Sequence, residues 1–239
     1  MDRAETGDLS LLGIGLYTVS EASRLTGISQ GRLTRWLRGY TYRTGGDRAI
    51  SQPIWLRQVP SIDGSLGLGF LDLMEARFAD AFRKASVPWS VIRQCAEHAR
   101  KLISSDHPYS SQRFRTDGRT IFAEVADQTG ERQLLDLAKS QFAFGRVIGP
   151  SLYAGIEFSN RDTPVRWWPM GQQIHVVIDP ARSFGQPIVS DGGIPTRTLA
   201  DAVAAEGSVA KVARLFRLEP QSVRAALRFE RRLAERIAA

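Results

Sequence analysis

The segment from Tyr17 to Gly39 constrains this chain more than any other. Ser20 reads as an N-cap, and Glu21 falls in the first turn, where the helix dipole favours negative charge. Ala22 and Leu25 lie three apart on one face of that helix. Gly27 stops it, because glycine accepts the left-handed conformation of a C-cap. Ser29 offers a second N-cap, and Leu33, Trp36 and Leu37 follow at the spacing of one buried helical face. The opposite face presents Gln30, Arg32, Thr34, Arg35 and Arg38. Two short helices joined by a glycine-containing turn, the second basic on its outer side, describe a helix-turn-helix.

Charge singles out the same stretch. The 239 residues carry 32 basic and 25 acidic side chains, a net +7. Residues 17–58 hold a net +5, whereas residues 105–178 are neutral. A genome-wide preference for arginine codons would explain a chain with only four lysines, but it would spread the excess evenly. A concentrated basic stretch favours an anionic partner, nucleic acid first. A helix fits the major groove of duplex DNA, where Gln and Arg side chains pair with base edges. Arg38 and Arg43, at the helix end and beyond it, suit phosphates. The other reading of this pattern is a helical hairpin packed in a core with a solvated basic face. Downstream, Tyr40–Arg43 reads as a strand, Thr44–Asp47 as a turn and Ile54–Arg57 as the returning strand, which makes a wing after the recognition helix.

Two helices follow. Leu71, Met74, Phe78 and Phe82 mark the buried face of the first. Pro88 suits the first turn of the second, whose apolar face carries Val91, Ile92, Cys95, Ala99 and Leu102. The single cysteine therefore reads as packing, and it cannot form an internal disulfide. The glycine-rich run Gly64–Gly69 reads as a flexible connector, since it lacks the Gly-Lys-Ser/Thr ending of a phosphate loop. With Tyr17-Thr18-Val19-Ser20-Glu21-Ala22, Arg35-Trp36-Leu37 and Phe70-Leu71-Asp72-Leu73, residues 17–102 resemble a MerR-type winged helix-turn-helix. Such regulators usually add a dimerising coiled coil and an effector or metal site. This chain has neither a sustained heptad run nor a cysteine pair, so sensing is not carried over.

Residues 105–178 read as mixed and β-rich. Asp117-Gly118 between Phe114 and Phe122 signals a hairpin, Leu134–Phe144 a helix, and Tyr153–Phe158 and Ile174–Ile178 strands. The aromatic residues between them, Trp167 and Trp168 included, read as core before interface. Beyond Asp179 the chain is turn-rich, with Ile188-Val189 as a short strand. Thr196 starts a helix that Gly207 ends, Ser208 caps another, and Val209, Val212, Ala213 and Phe216 form its apolar face. The last helix carries Val223, Ala226, Leu227, Ala234 and Ile237 on one side, with Arg224, Arg228, Arg231, Arg232 and Arg236 on the other. That arginine run is either a solvated face or a contact for DNA or a protein partner.

The pattern Asp179-Pro180, Phe184-Gly185-Gln186-Pro187, Ile194-Pro195-Thr196, Val212-Ala213 and Ala225-Ala226-Leu227 resembles small antitoxin domains encoded beside PIN-domain ribonuclease toxins. Together with the winged segment, the chain resembles a large VapB-type antitoxin. That resemblance implies binding and neutralisation of a PIN-domain (VapC-type) toxin, and autorepression through double-stranded promoter DNA. A stand-alone MerR-like transcription regulator without a toxin partner is the alternative.

The expected fold is α+β, mainly α with small β elements. It comprises a winged helix-turn-helix with its following helices (1–104), a mixed middle domain (105–178) and a C-terminal three-helix unit (179–239). The DNA-contacting set is Gln30, Arg32, Thr34, Arg35, Arg38 and Arg43, with Arg224, Arg228, Arg231 and Arg232 as a further partner or DNA contact. His98, His107 and His175 have no metal-ligand spacing, and no nucleophile elbow occurs, so neither enzyme activity nor a cofactor or metal is expected. No apolar run reaches membrane-spanning length and no leader sequence is visible; a cytoplasmic protein is expected. A homodimer is expected too, because symmetric repressors read paired half-sites.

Overall fold

The computed structural model describes residues 13–61, 64–127 and 150–238. The chain begins with β1 (Tyr17–Thr18), α1 (Val19–Thr26) and α2 (Gln30–Arg38), followed by the hairpin β2 (Tyr40–Thr44) and β3 (Asp47–Ser51). Next come β4 (Gly67–Leu68), α3 (Phe70–Lys84), α4 (Trp89–Ile103) and α5 (Gln112–Asp127). A short helix, α6 (Pro150–Tyr153), leads into β5 (Ile156–Phe158), β6 (Pro164–Trp167), β7 (Val176–Ile178) and β8 (Pro187–Val189). The helices α7 (Thr196–Glu206), α8 (Val209–Phe216) and α9 (Pro220–Ala238) follow. The fold class is α+β, as the sequence implies.

Helix α3 is the hub. Phe70, Leu73, Met74, Ala76, Phe78, Ala79 and Phe82 are all buried, so apolar contact surrounds most of its circumference. Asp72 and Glu75 are fully buried there as well, and each is satisfied, as burial of a carboxylate requires. Asp72 accepts from the Gly69 amide at 2.8 Å and the Trp55 indole at 3.0 Å, and pairs with His107 Nε2 at 2.9 Å. Glu75 accepts the amides of Tyr109 and Ser110, each at 3.0 Å. These bonds tie the turn before α5 to the hub. Burial pushes the Glu75 carboxyl up to about 7, against the opposing pull of His107 and the two amides.

The sheet is antiparallel in the order β5-β6-β7-β8, with Val176 opposite Val189. It therefore includes a strand from beyond Asp179. Its inner residues Trp167, Val176 and Ile178 join the main core, while Val189 belongs to a smaller cluster with Leu199, Val212, Ala213, Val223 and Ala226. Helix α9 serves both clusters. Val223 and Ala226 face the small one, and Ala225, Phe229 and Leu233 enter the main core.

Several local expectations give way to tertiary packing. Residues 112–127 are one helix where Asp117-Gly118 signals a hairpin. Phe114, Gly118 and Ile121 are buried at helical spacing, and that burial outweighs the local turn signal. Gly67 and Leu68 pair with β1 and are a strand, not a loose connector. Leu102 is exposed, and Ile103 takes the buried place at the end of α4. On α9, Leu227 is half-buried and Ala234 exposed. The helix expected over Leu134–Phe144 lies outside the described residues.

Candidate nucleic-acid interface

Helix α1 starts two residues earlier than a cap at Ser20 would place it. Thr18 is the N-cap: its hydroxyl accepts the Glu21 amide at 3.1 Å, while the Glu21 carboxylate accepts the Thr18 amide at 2.8 Å. This reciprocal box satisfies two otherwise orphaned donors. Gly27 ends the helix in the left-handed conformation, as expected. Thr26 bonds back to the Ala22 carbonyl at 2.6 Å and accepts the Ile28 amide at 3.2 Å, which sets the turn into α2. Ser29 holds the N-cap position of α2 without a side-chain cap bond.

Leu33, Trp36 and Leu37 seat α2 on the core, and Trp36 stacks on Trp89 of α4 with ring centroids 5.3 Å apart. The outward side then follows from helical geometry. Gln30, Arg35 and Arg38 are exposed, whereas Thr34 and Arg32 are half-buried. Arg32 donates to Asp80 at 3.3 Å, which holds α2 against α3. Arg38 donates to the Gly64 carbonyl at 2.6 Å, so its charge is exposed but its position is guided.

The wing follows at once. Gly39 adopts φ 74°, and a side chain there would place a Cβ 2.3 Å from the Ser51 carbonyl oxygen. Only glycine permits so close an approach of the strand base. The hairpin pairs Tyr40 with Ser51 through Thr44 with Asp47, turning at Gly45-Gly46 with φ positive at both positions. That two-residue turn fits the strand twist and leaves Asp47 inside β3. The returning strand is thus Asp47–Ser51, not Ile54–Arg57. Ile54 and Trp55 are instead core residues, 2% exposed, and Trp55 uses its indole N–H on Asp72. Arg93 of α4 pins the wing base by donating to Ser51 Oγ at 2.8 Å and to the Gln52 carbonyl.

Arg43 and Arg48 face each other across the wing, and both are exposed. Like charges directly opposite in an antiparallel pair disfavour the isolated hairpin. A polyanion lying along the wing removes that penalty. Arg48 falls outside the expected contact set because the expected returning strand, Ile54–Arg57, begins seven residues beyond the observed one. Its sign was present in the alternation Arg48, Ile50, with Tyr42 and Ile50 also exposed.

The second arginine group is arranged otherwise. Arg224, Arg228, Arg231 and Arg232 are exposed along α9. Glu230, on the same helix, accepts from Thr196 at 2.5 Å and pairs with Arg24 of α1 at 3.5 Å. Arg236 donates to the Leu25 carbonyl of α1 at 2.8 Å. The last helix therefore packs against the first helix of the helix-turn-helix. The signal was legible in Ala225, Phe229 and Leu233, a second apolar row at i, i+4, i+8.

Among the described residues no group of three His, Cys, Asp or Glu side chains is placed to hold a metal ion. Among them, too, no helix is long and apolar enough to cross a membrane.

This architecture defines a helix-turn-helix DNA-binding protein with an attached C-terminal helical unit. Residues 15–96 match the family described as "Putative DNA-binding HTH domain", and residues 176–229 match "Protein of unknown function (DUF433)". The chain is 30% identical over 226 residues to "Putative antitoxin VapB45" of Mycobacterium tuberculosis, covering 90% of this chain and 93% of the relative. It belongs to the family of that VapB-type protein. The crystal structure of Rv2018 from Mycobacterium tuberculosis superposes with a TM-score of 0.70 at 25% identity, covering 90% of this chain and 98% of the other.

Proposed function

We propose that the protein is an antitoxin that represses its own promoter and neutralises a PIN-domain ribonuclease. The observation that carries the DNA reading is the set of exposed basic side chains on α2 and on the wing that directly follows it. Gln30 and Arg35, exposed on α2, and the half-buried Thr34 are the side chains assigned to base edges in the major groove. Arg38, Arg43 and Arg48, all exposed, are the side chains assigned to the phosphates. Arg32, bound to Asp80, sets the angle of α2 and offers its remaining donors to the duplex. A homodimer would present two such edges to half-sites about one helical turn apart. The toxin reading rests on the family relationship to a VapB-type antitoxin. The exposed arginines of α9, Arg224, Arg228, Arg231 and Arg232, are the surface we assign to the acidic metal-binding cleft of a PIN-domain toxin or to DNA.

A gel shift with the upstream region of its own gene tests the first part, and co-expression with a neighbouring PIN-domain toxin tests the second. Retarded promoter DNA and rescued growth are the expected results. Promoter binding without a toxin complex, with pull-downs giving only the homo-oligomer, would favour the plain MerR-like regulator. Absence of any promoter shift would remove the DNA reading.

A further inference from the structure

A cleft of about 300 Å³ opens beside the helix-turn-helix, walled in part by Thr26 and Ile28 of the turn. Four cationic side chains line it: Arg77, Lys84, Arg232 and Arg236. Among the described lining residues Asp80 is the single carboxylate, and it is already engaged by Lys84 at 2.7 Å, Arg32 at 3.3 Å and Arg83 at 3.7 Å. Arg77 is half-buried, its guanidinium 4.0 Å from the centre of the Trp167 ring, with Nη1 donating to Met74 Sδ at 3.4 Å. Among the described residues neither Arg77 nor Arg232 has a carboxylate partner. Arg236 gives one N–H to the Leu25 carbonyl.

Arg77 and Arg236 each lie within reach of another guanidinium. Burial and the charge of Arg236 push Arg77 down to about 9, and burial and Arg232 push Arg236 down in turn. Four cations around one carboxylate in a partly desolvated cleft are unfavourable until a further counter-charge arrives. We infer that this cleft binds a phosphate-bearing anion. Guanidinium forks match pairs of phosphate oxygens, and several forks in one place call for more negative charge and more acceptors than one carboxylate supplies. The phosphate is that of a free ligand or of a nucleic-acid backbone. The inference does not depend on a toxin partner.

Inorganic pyrophosphate is the probe. Calorimetric titration of the full chain is expected to give a Kd below about 1 mM, the range that a few charge-assisted bonds supply. Thermal melting is expected to shift upward relative to sodium chloride at equal ionic strength. Arg232→Gln, at an exposed position, and Arg77→Gln are each expected to weaken binding about tenfold, roughly one charge-assisted hydrogen bond. Melting of each variant in chloride checks that it folds. Displacement of pyrophosphate by a short duplex assigns the cleft to backbone phosphate, and undiminished pyrophosphate binding in the presence of duplex assigns it to a free phosphate ligand. Equal melting in pyrophosphate and matched chloride overturns the inference, as does binding that survives both substitutions. A failed promoter shift would leave the pyrophosphate result standing, so the two readings fail separately.

Discussion

Helices α2 and α9 look alike in sequence, each with an apolar row inside and arginines outside, yet the fold employs them differently. Helix α2 buries one narrow face, Leu33, Trp36 and Leu37, and leaves Gln30, Arg35 and Arg38 open beside a wing that adds Arg43 and Arg48. Helix α9 buries two faces and joins two clusters, with Ala225, Phe229 and Leu233 reaching the main core. Its charges serve the joint as well as the surface, through Glu230 to Arg24 and Arg236 to Leu25. An arginine-rich helix face is therefore not a binding face by composition alone. What distinguishes α2 is a single seat on the core and a wing that sets two exposed arginines, Arg43 and Arg48, opposite each other.

The largest expected effect tests whether α9 is a joint. Phe229→Ala removes a ring that is 2% exposed, and a buried Phe→Ala change costs about 3–5 kcal/mol. Urea unfolding followed by Trp fluorescence and by circular dichroism should lose stability in one coincident transition. If the C-terminal helices melt alone while the tryptophan-containing core stays folded, α9 is an appendage and the comparison breaks.

A second difference is titratable. The main core holds Glu75 with its carboxyl raised to about 7, whereas the small cluster is built from apolar side chains. A raised acid binds its proton more tightly in the folded state, so its contribution is present at low pH and is lost as pH rises. Stability should fall by about 2–3 kcal/mol between pH 4.5 and pH 7, an upper range from the linkage relation. Urea midpoints across that window read it. Glu75→Gln, neutral throughout, should be less stable overall, because its amide N–H₂ meets a backbone donor, but it should lose this slope. An unchanged slope in that variant would assign the pH dependence elsewhere.

Binding sharpens the same contrast. Arg35→Ala on α2 should weaken promoter affinity by about 1–3 kcal/mol and relax specificity if it reads a base. Arg48→Ala on the wing should weaken all duplexes alike and make the salt dependence shallower by about one charge. Arg228→Ala on α9 should leave the gel shift nearly unchanged if that helix faces the toxin and not the duplex. Equal losses from Arg35 and Arg228 would mean that both helices face the duplex. The smallest expected effect is local: Thr18→Ala should cost about 1 kcal/mol by opening the capping box of α1, seen as a lower melting temperature.

Much of the interface was legible in the chain. Gly27, Ser29 and the Leu33-Trp36-Leu37 spacing mark the turn and the second helix, because caps and helical period are local properties. The wing was legible as a hairpin but not in its register. Ile54-Trp55 looks like a strand, yet both residues are claimed by the core, and the two glycines at 45 and 46 close the turn early. Asp117-Gly118 gives way for a related reason: a turn dipeptide is a local preference, and burial of Phe114 and Ile121 on one helical face exceeds it. Arg48 and the second apolar row of α9 were visible only as patterns without an assigned partner.

The amino-acid order by itself determined the helix-turn-helix, the concentration of positive charge around it and the α+β class, since these follow from caps, spacing and composition over short distances. Only the tertiary structure decided which charges remain available. Asp80 claims part of Arg32, Glu230 and Leu25 draw the last helix against the first, and Arg77 is left beside Trp167 without an anion. Those outcomes depend on groups dozens to hundreds of residues apart meeting in a partly dry interior, where an ion pair or its absence matters more than any local preference.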